Sequence, residues 1–233
     1  MNKEQFLNEL TNLGISYDSE KLSKLEQYYN LLIEENQKYN LTAITEKNTV
    51  YLKHFYDSLT IKKAINLDNQ YICDIGTGAG FPGIVLKIFY PDIKIDLIDS
   101  TTKKCNFLNL VINTLSLTNI KVINARIEEY AKENREKYDI VVSRAVAPLK
   151  HLLEYATPMI KINGQFIALK SNIDQETLNI SRYYQKLSLS NPQTYSFTLP
   201  YELSHRTIYK IEKHSKTNPL YPRPYSKIKK QEL

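Results

Sequence analysis

The chain has 233 residues, of which 42% are apolar and 24% charged, and it carries a net charge of +6. That length suits one domain with appendages and excludes a second full domain, and no apolar run approaches the roughly 18 residues of a membrane span. Two cysteines, Cys73 and Cys105, are too few for a disulfide framework or a zinc centre and read as small core residues; the polar start Met1-Asn-Lys-Glu-Gln shows no signal-peptide pattern, which sets a cytoplasmic expectation.

Phe6, Leu7, Leu10 and Leu13 recur at helical spacing over residues 2–13, and Gly14 follows as a stop. Ser19 is placed to cap a second helix carrying Leu22, Leu25, Tyr29, Leu32 and Ile33, which breaks at Tyr39-Asn-Leu-Thr42. A third helix is expected over 50–65, with Leu52, Phe55 and Leu59 inward. Three such helices bury little alone, so residues 1–67 read as an N-terminal helical cap packed on a core of 68–213, with 214–233 as a basic tail.

From residue 70 the pattern changes. Apolar β runs at 70–75, 93–98, 120–124, 138–142 and 165–169 alternate with helical periods, the signature of a parallel α/β sheet. The helix after Asp99 is expected to start at a Ser100-Thr101 cap and to bury Cys105, Leu108, Ile112 and Leu115. After a further helix around 174–187, the runs 194–199 and 207–212 read as an antiparallel pair at the sheet edge. Five parallel strands and a terminal hairpin make the seven-stranded, mostly parallel, Rossmann-like sheet found in many methyltransferases.

Behind the first β run lies Cys73-Asp-Ile-Gly-Thr-Gly-Ala-Gly-Phe-Pro-Gly83. Gly76, Gly78 and Gly80 allow positive φ and a close backbone approach to a ligand. A dinucleotide fingerprint would place its third glycine at 81, where Phe81 stands, and Pro82 removes an N–H that a pyrophosphate would use. A ligand without phosphates fits better. Asp74 opens the turn, where it is expected to hold an amino group, and Asp99 ends the next strand near the offset, about 20 residues on, at which a carboxylate meets ribose hydroxyls. An adenosine with an aminoacyl arm uses both acids, which describes S-adenosylmethionine. A nicotinamide-dependent oxidoreductase is argued against by Phe81-Pro82.

Charge is uneven: residues 1–50 hold five Lys/Arg against eight Asp/Glu, and the remainder 26 against 17. In the tail, Lys216, Arg223, Lys227, Lys229 and Lys230 alternate with Tyr221, Tyr225 and three prolines. On composition the tail forms no core element, and basic residues between tyrosines suit RNA. A polyanion partner follows from such charge, and a solvated lysine-rich surface is the alternative.

With Tyr39-Asn-Leu-Thr42, Lys53-His-Phe-Tyr-Asp-Ser58, the glycine turn from Asp74 to Gly83, Asp99-Ser100, Arg126-Ile-Glu-Glu129, Ser143-Arg-Ala145 and Leu169-Lys170, the chain resembles the bacterial small-subunit (16S) ribosomal RNA guanine-N7 methyltransferases, also called the glucose-inhibited division protein B family. The resemblance implies that Gly76 and Phe81 contact the methyl donor, that Asp99 meets its ribose and that Ile127 and Glu128 edge the adenine. Arg144, just past the fourth strand, is implied to reach the donor or the target base. The implied partner is 16S ribosomal RNA or the small subunit. After Tyr221-Pro-Arg223 the tail departs from the family's usual Lys-Pro-Gly-Thr-Pro type run.

Guanine N7 carries an exposed lone pair and no proton, so its methylation requires positioning rather than a general base, consistent with the absence of an acid–base pair. Arg144 and Arg126, after strands four and three, are the candidates for gripping guanine or its backbone, with pairing to acids such as Asp99 or Glu128 as the alternative. Asn40, Lys53 and His54 are expected to close over the pocket from the cap and, with Arg223, Lys227, Lys229 and Lys230, to face RNA. Asp57 is expected to orient His54 or Lys53. No metal site and no membrane contact are expected, and no heptad seam argues for more than a monomer. A silent RNA-binding assembly factor, or a methyltransferase for another RNA, is the alternative function.

Overall fold

The computed structural model describes residues 1–171, 180–230 and 233. α1 (Lys3–Asn12) begins with a reciprocal cap between Asn2 and Gln5, and α2 (Ser19–Tyr39) is capped by the Asp18 side chain, not by Ser19. The expected third helix is instead a chain of short turns: α3 (Lys47–Val50), a π turn (Tyr51–Tyr56), α4 (Asp57–Leu59) and a 3₁₀ turn (Thr60–Lys63). The wide π turn shifts the helical register, so that Tyr51, Leu52, Phe55, Tyr56 and Leu59 are all buried, which one uniform helix face could not achieve.

Strands and helices then alternate: β1 (Tyr71–Ile75), α5 (Gly83–Phe89), β2 (Lys94–Asp99), α6 (Thr102–Thr114), β3 (Ile120–Asn124), α7 (Ile127–Glu133), β4 (Tyr138–Arg144), α8 (Leu149–Ala156) and β5 (Ile160–Lys170). α9 (Ser181–Leu187), β6 (Gln193–Thr198), β7 (His205–Glu212) and α10 (Tyr225–Lys230) complete the described elements. The first part of the helix expected at 174–187 lies outside the described residues. Seven strands form one sheet in the order β3-β2-β1-β4-β5-β7-β6. β1 to β5 pair in parallel, and β7 lies antiparallel between β5 and β6, as the sequence pattern anticipates. The order reverses between β1 and β4, the place where open α/β sheets open a crevice at the carboxyl ends of their strands.

Two apolar clusters cover the two faces. One joins Phe6, Leu25, Tyr28 and Phe55 of the N-terminal helices to Ile72, Ile84, Leu97 and Phe107, so the cap shares a core with the sheet. The Tyr28 hydroxyl, buried in that cluster, donates to the Ala79 carbonyl in the glycine turn and ties α2 to it. The other cluster packs α8 and α9 against Cys73, Val141, Phe166 and Ala168.

The tail corrects the expectation from composition. Its Thr217, Pro222 and Ile228 are buried, and Arg135 donates to the carbonyls of Tyr221 and Thr217 at 2.7 Å. Glu154, fully buried in α8, receives Arg223 Nε on Oε1 and Arg223 NH2 on Oε2, both at 2.9 Å. A buried carboxylate is costly unless paired, and Arg223 supplies that pair. Among the described residues no helix is long and apolar enough to cross a membrane.

Candidate active site

Two cavities open at the carboxyl ends of the strands and share the walls Gly76, Lys104 and Ala145. Both Gly76 (φ 65°) and Ala145 (φ 55°) take left-handed backbone conformations, one after β1 and the other after β4, on either side of the reversal. A Cβ on Gly76 would stand 2.6 Å from both methyl carbons of Val146, so only glycine lets these loops meet this closely.

The larger cavity, about 640 Å³, is lined by Gly76, Asp99 to Thr101, Arg126 to Glu128, Ala145 to Pro148, and Tyr155. Asp99 ends β2 with one oxygen accepting from Gly78 N at 3.0 Å and the other from Thr101 N at 2.8 Å. α6 begins where the Ser100-Thr101 pair was expected to start it, with Thr101 at the N-cap position, although the Thr101 side chain makes no cap hydrogen bond. Two backbone N–H bonds use half of a carboxylate's acceptor capacity, and the remainder can take the vicinal hydroxyls of a ribose. Ile127 offers an apolar side and Glu128 an acceptor. Arg126 is tied to that acid, with Nε at 3.0 Å and NH2 at 2.9 Å from Glu128 Oε1. Gly78 lines the smaller cavity beside the shared wall at Gly76, and a Cβ there would meet only the Gly76 carbonyl, at 4.0 Å, so the backbone at the junction is open to a close approach. Size, acids and exposed backbone fit an adenosine bearing an amino-acid arm.

Asp74 departs from its expected role. It is fully buried, with Oδ2 accepting from Thr77 Oγ1 at 2.6 Å and from Gly83 N at 2.9 Å. Burial raises its pKa to about 7 against those hydrogen bonds. Asp74 thus staples the glycine turn from inside and lines neither cavity.

The smaller cavity, about 370 Å³, lies between the cap and β4, β5 and β7, and its walls include Thr42, Lys53, His54, Asp57, Gly78, Phe81, Arg144, Lys170 and Arg206. Asp57 accepts from Arg144 NH1 at 3.2 Å and from Arg206 Nε at 2.9 Å, so it orients two arginines from separate strands rather than His54 or Lys53. Arg144 also donates to the Lys53 carbonyl at 2.9 Å, and Lys53 pairs with Glu202 at 2.7 Å. Phe81 stacks on His54, centroids 4.4 Å apart, with Arg144 Cζ 5.0 Å from the Phe81 ring. Burial, reinforced by the Arg144 charge, lowers the His54 pKa to about 3, so this imidazole is neutral and accepts or donates to Thr42 Oγ1 at 2.9 Å. His54 is an aromatic wall, not a cation for phosphate.

Of the sequence candidates, Gly76, Asp99, Arg126, Ile127 and Glu128 meet in the larger cavity together with Lys229. Lys53, His54, Gly78, Phe81 and Arg144 meet in the smaller. Asn40 ends α2 in a left-handed conformation and is exposed beside Leu41 and Thr42, which line the smaller cavity; Lys227 and Lys230 are exposed on α10. The sequence reading missed Lys104, Lys170 and Arg206. Lys170 carried a signal as the last residue of the Leu169-Lys170 motif, whereas Arg206 meets Asp57 across 149 residues with no local mark.

A family model described as "GidB: rRNA small subunit methyltransferase G" matches residues 21–202. Similar chains include the ribosomal RNA small subunit methyltransferase G of Mesoplasma florum, 50% identical over 94% of this chain and 93% of that one. The protein of that name from Bacillus cereus is 43% identical over 96% and 95%. Among solved structures, a SAM-dependent methyltransferase from Aquifex aeolicus aligns at TM-score 0.52 with 15% identity over 77% of this chain and 98% of that one. M. jannaschii TYW2 in complex with AdoMet aligns at TM-score 0.53 with 16% identity, covering 67% and 76%. These two show the sheet architecture alone.

Proposed function

The chain belongs to the rRNA small subunit methyltransferase G family, and from that membership we propose that it uses S-adenosylmethionine to methylate N7 of a guanine in 16S ribosomal RNA. The observation that carries the reading is the junction of the two cavities at Gly76 and Ala145. One cavity fits the donor, the other is lined by cations and aromatic rings, and the two meet where a methyl group must cross.

In this reading Asp99 holds the ribose, Ile127 and Glu128 border the adenine, and the Gly76–Gly78 backbone lies against the amino-acid arm. When bound, the donor supplies a methyl group on a positively charged sulfur. Guanine N7 would take the methyl group with its lone pair as the carbon–sulfur bond breaks and its electrons return to sulfur, leaving a neutral thioether, so no residue has to remove a proton. The neutral His54 stacked on Phe81 offers a flat apolar surface, and the positive charge of Arg144 and Arg206 suits the guanine O6 or the neighbouring phosphates. Arg126, forked onto Glu128, belongs to the donor side rather than to the guanine side. Holding nucleophile and methyl group in near-attack geometry lowers such a barrier by roughly 7–11 kcal/mol, which makes orientation the main task of these side chains. The proposed substrate partner is 16S RNA, free or in the small subunit, and the proposed setting is the cytoplasm.

The test is donor binding by calorimetry together with label transfer from methyl-labelled S-adenosylmethionine to small-subunit RNA. Binding with transfer to guanine N7 supports the reading. Binding with transfer to another atom overturns the substrate assignment, and binding without transfer to any RNA favours a silent assembly factor.

A further inference from the structure

The C-terminal segment builds part of the larger cavity. Its fork from Arg223 onto buried Glu154, and the grip of Arg135 on the preceding carbonyls, deliver α10 to the cavity wall. Ile228 seats the helix in the core cluster, while Tyr225 and Lys229 join the lining. The Tyr225 ring lies 4.8 Å from Arg126 Cζ, and Arg126 in turn grips Glu128, so a tail residue is coupled through one guanidinium to an acid of the cavity.

Tyr225 is 45% exposed, so the core does not need it. The anchors that fix the tail, Arg223 and Ile228, lie on either side of it. A large ring left half in solvent on a cavity rim, packed face-on against a cation, is placed to touch what fills the cavity. Lys229 adds a flexible ammonium on the same rim. Composition offered RNA contact or a solvated tail for this stretch, whereas the geometry sets one tyrosine and one lysine in the lining of the larger cavity.

We propose that Tyr225, assisted by Lys229, is a donor-positioning residue that closes the larger cavity over the adenosine and slows its release. This rests on the reading of that cavity as the donor site. Wild type, Tyr225→Ala and Tyr225→Phe are compared in binding of S-adenosylmethionine and S-adenosylhomocysteine by calorimetry and by stopped-flow dissociation, with melting temperatures recorded on the ligand-free chains. Tyr225→Ala is expected to weaken both ligands by about tenfold, chiefly through faster dissociation, as loss of one aromatic contact implies. Its melting temperature is expected to stay within about 2 °C of wild type, because an exposed side chain contributes little to stability. Tyr225→Phe keeps the ring and is expected to retain wild-type affinity. Trypsin cleavage after Lys227, Lys229 and Lys230 is expected to slow at saturating S-adenosylmethionine. Wild-type binding with Tyr225→Ala unchanged in affinity and dissociation rate overturns the proposal alone. A wild-type chain that binds neither compound overturns the donor-site reading and the proposal with it.

Discussion

Replacing Asp57 with Asn tests whether one buried carboxylate organises the cationic cavity. Asp57 has 8% of its side chain exposed and holds Arg144 at 3.2 Å and Arg206 at 2.9 Å, each partner itself nearly buried. Asn keeps the shape and one acceptor oxygen but turns an N–H₂ toward one of the guanidinium groups and removes the neutralising charge. One charge-assisted hydrogen bond is worth about 1.5–3 kcal/mol, and uncompensated buried charge brings the cost of breaking such a pair to roughly 3–5 kcal/mol. We take about 3 kcal/mol, since Asn still accepts from one arginine. For a chain of this size that corresponds to a fall in melting temperature of about 6–12 °C. Urea unfolding should show a lower midpoint with an unchanged slope, and methyl transfer should fall because Arg144 loses its orientation. Adding Arg206→Met to Asp57→Asn should recover part of the loss, since one of the two stranded charges is then gone. A shift under 2 °C, or strictly additive effects in the double variant, would refute the bridging role.

Gly76→Ala is expected to weaken donor binding at least about tenfold in calorimetry, because its Cβ meets Val146 at 2.6 Å and a left-handed φ costs an L residue roughly 1–2 kcal/mol; wild-type affinity would remove Gly76 from the shared wall. Arg144→Ala should leave donor affinity within about threefold while cutting methyl transfer by roughly a hundredfold, in line with loss of a group that orients the nucleophile; normal turnover would make the arginine structural. His54 is neutral in the fold with its pKa near 3, against about 6.5 when exposed. Between those values the unfolded chain binds a proton that the fold does not, so stability falls as pH drops from about 6.5 toward 3. His54→Gln should flatten the melting temperature between pH 7 and 4, and parallel curves for variant and wild type would contradict that sign.

The sheet was legible because its information is local: apolar runs of strand length alternate with helical periods, and β6 and β7 alternate in twos. The glycine turn was legible because positive φ and a bulky Phe81 are written into the six consecutive residues Gly76 to Phe81. Pairings across the fold were not. Asp57 with Arg144 and Arg206 joins residues 87 and 149 positions apart, and nothing near Asp57 distinguishes it from an acid serving His54. Asp74 misled for a related reason: the sequence shows an acid at a strand end but not which way it points, and Thr77 with the Gly83 N–H draws it inward. The tail misled because composition counts its lysines and prolines but not the buried Glu154 that Arg223 must neutralise. The start of α6 was legible in the Ser100-Thr101 pair, since Thr101 stands at its N-cap position, although its side chain makes no cap hydrogen bond.

The two joined cavities are proposed to bring a methyl donor to a guanine of small-subunit RNA. The most direct test incubates the purified chain with methyl-labelled S-adenosylmethionine and small ribosomal subunits from a strain lacking this modification, then maps the labelled nucleotide. Label on one guanine N7, lost in Arg144→Ala but not in a surface control such as Lys216→Ala, is the expected result. Label on a different atom or base, or none despite measured donor binding, would contradict it.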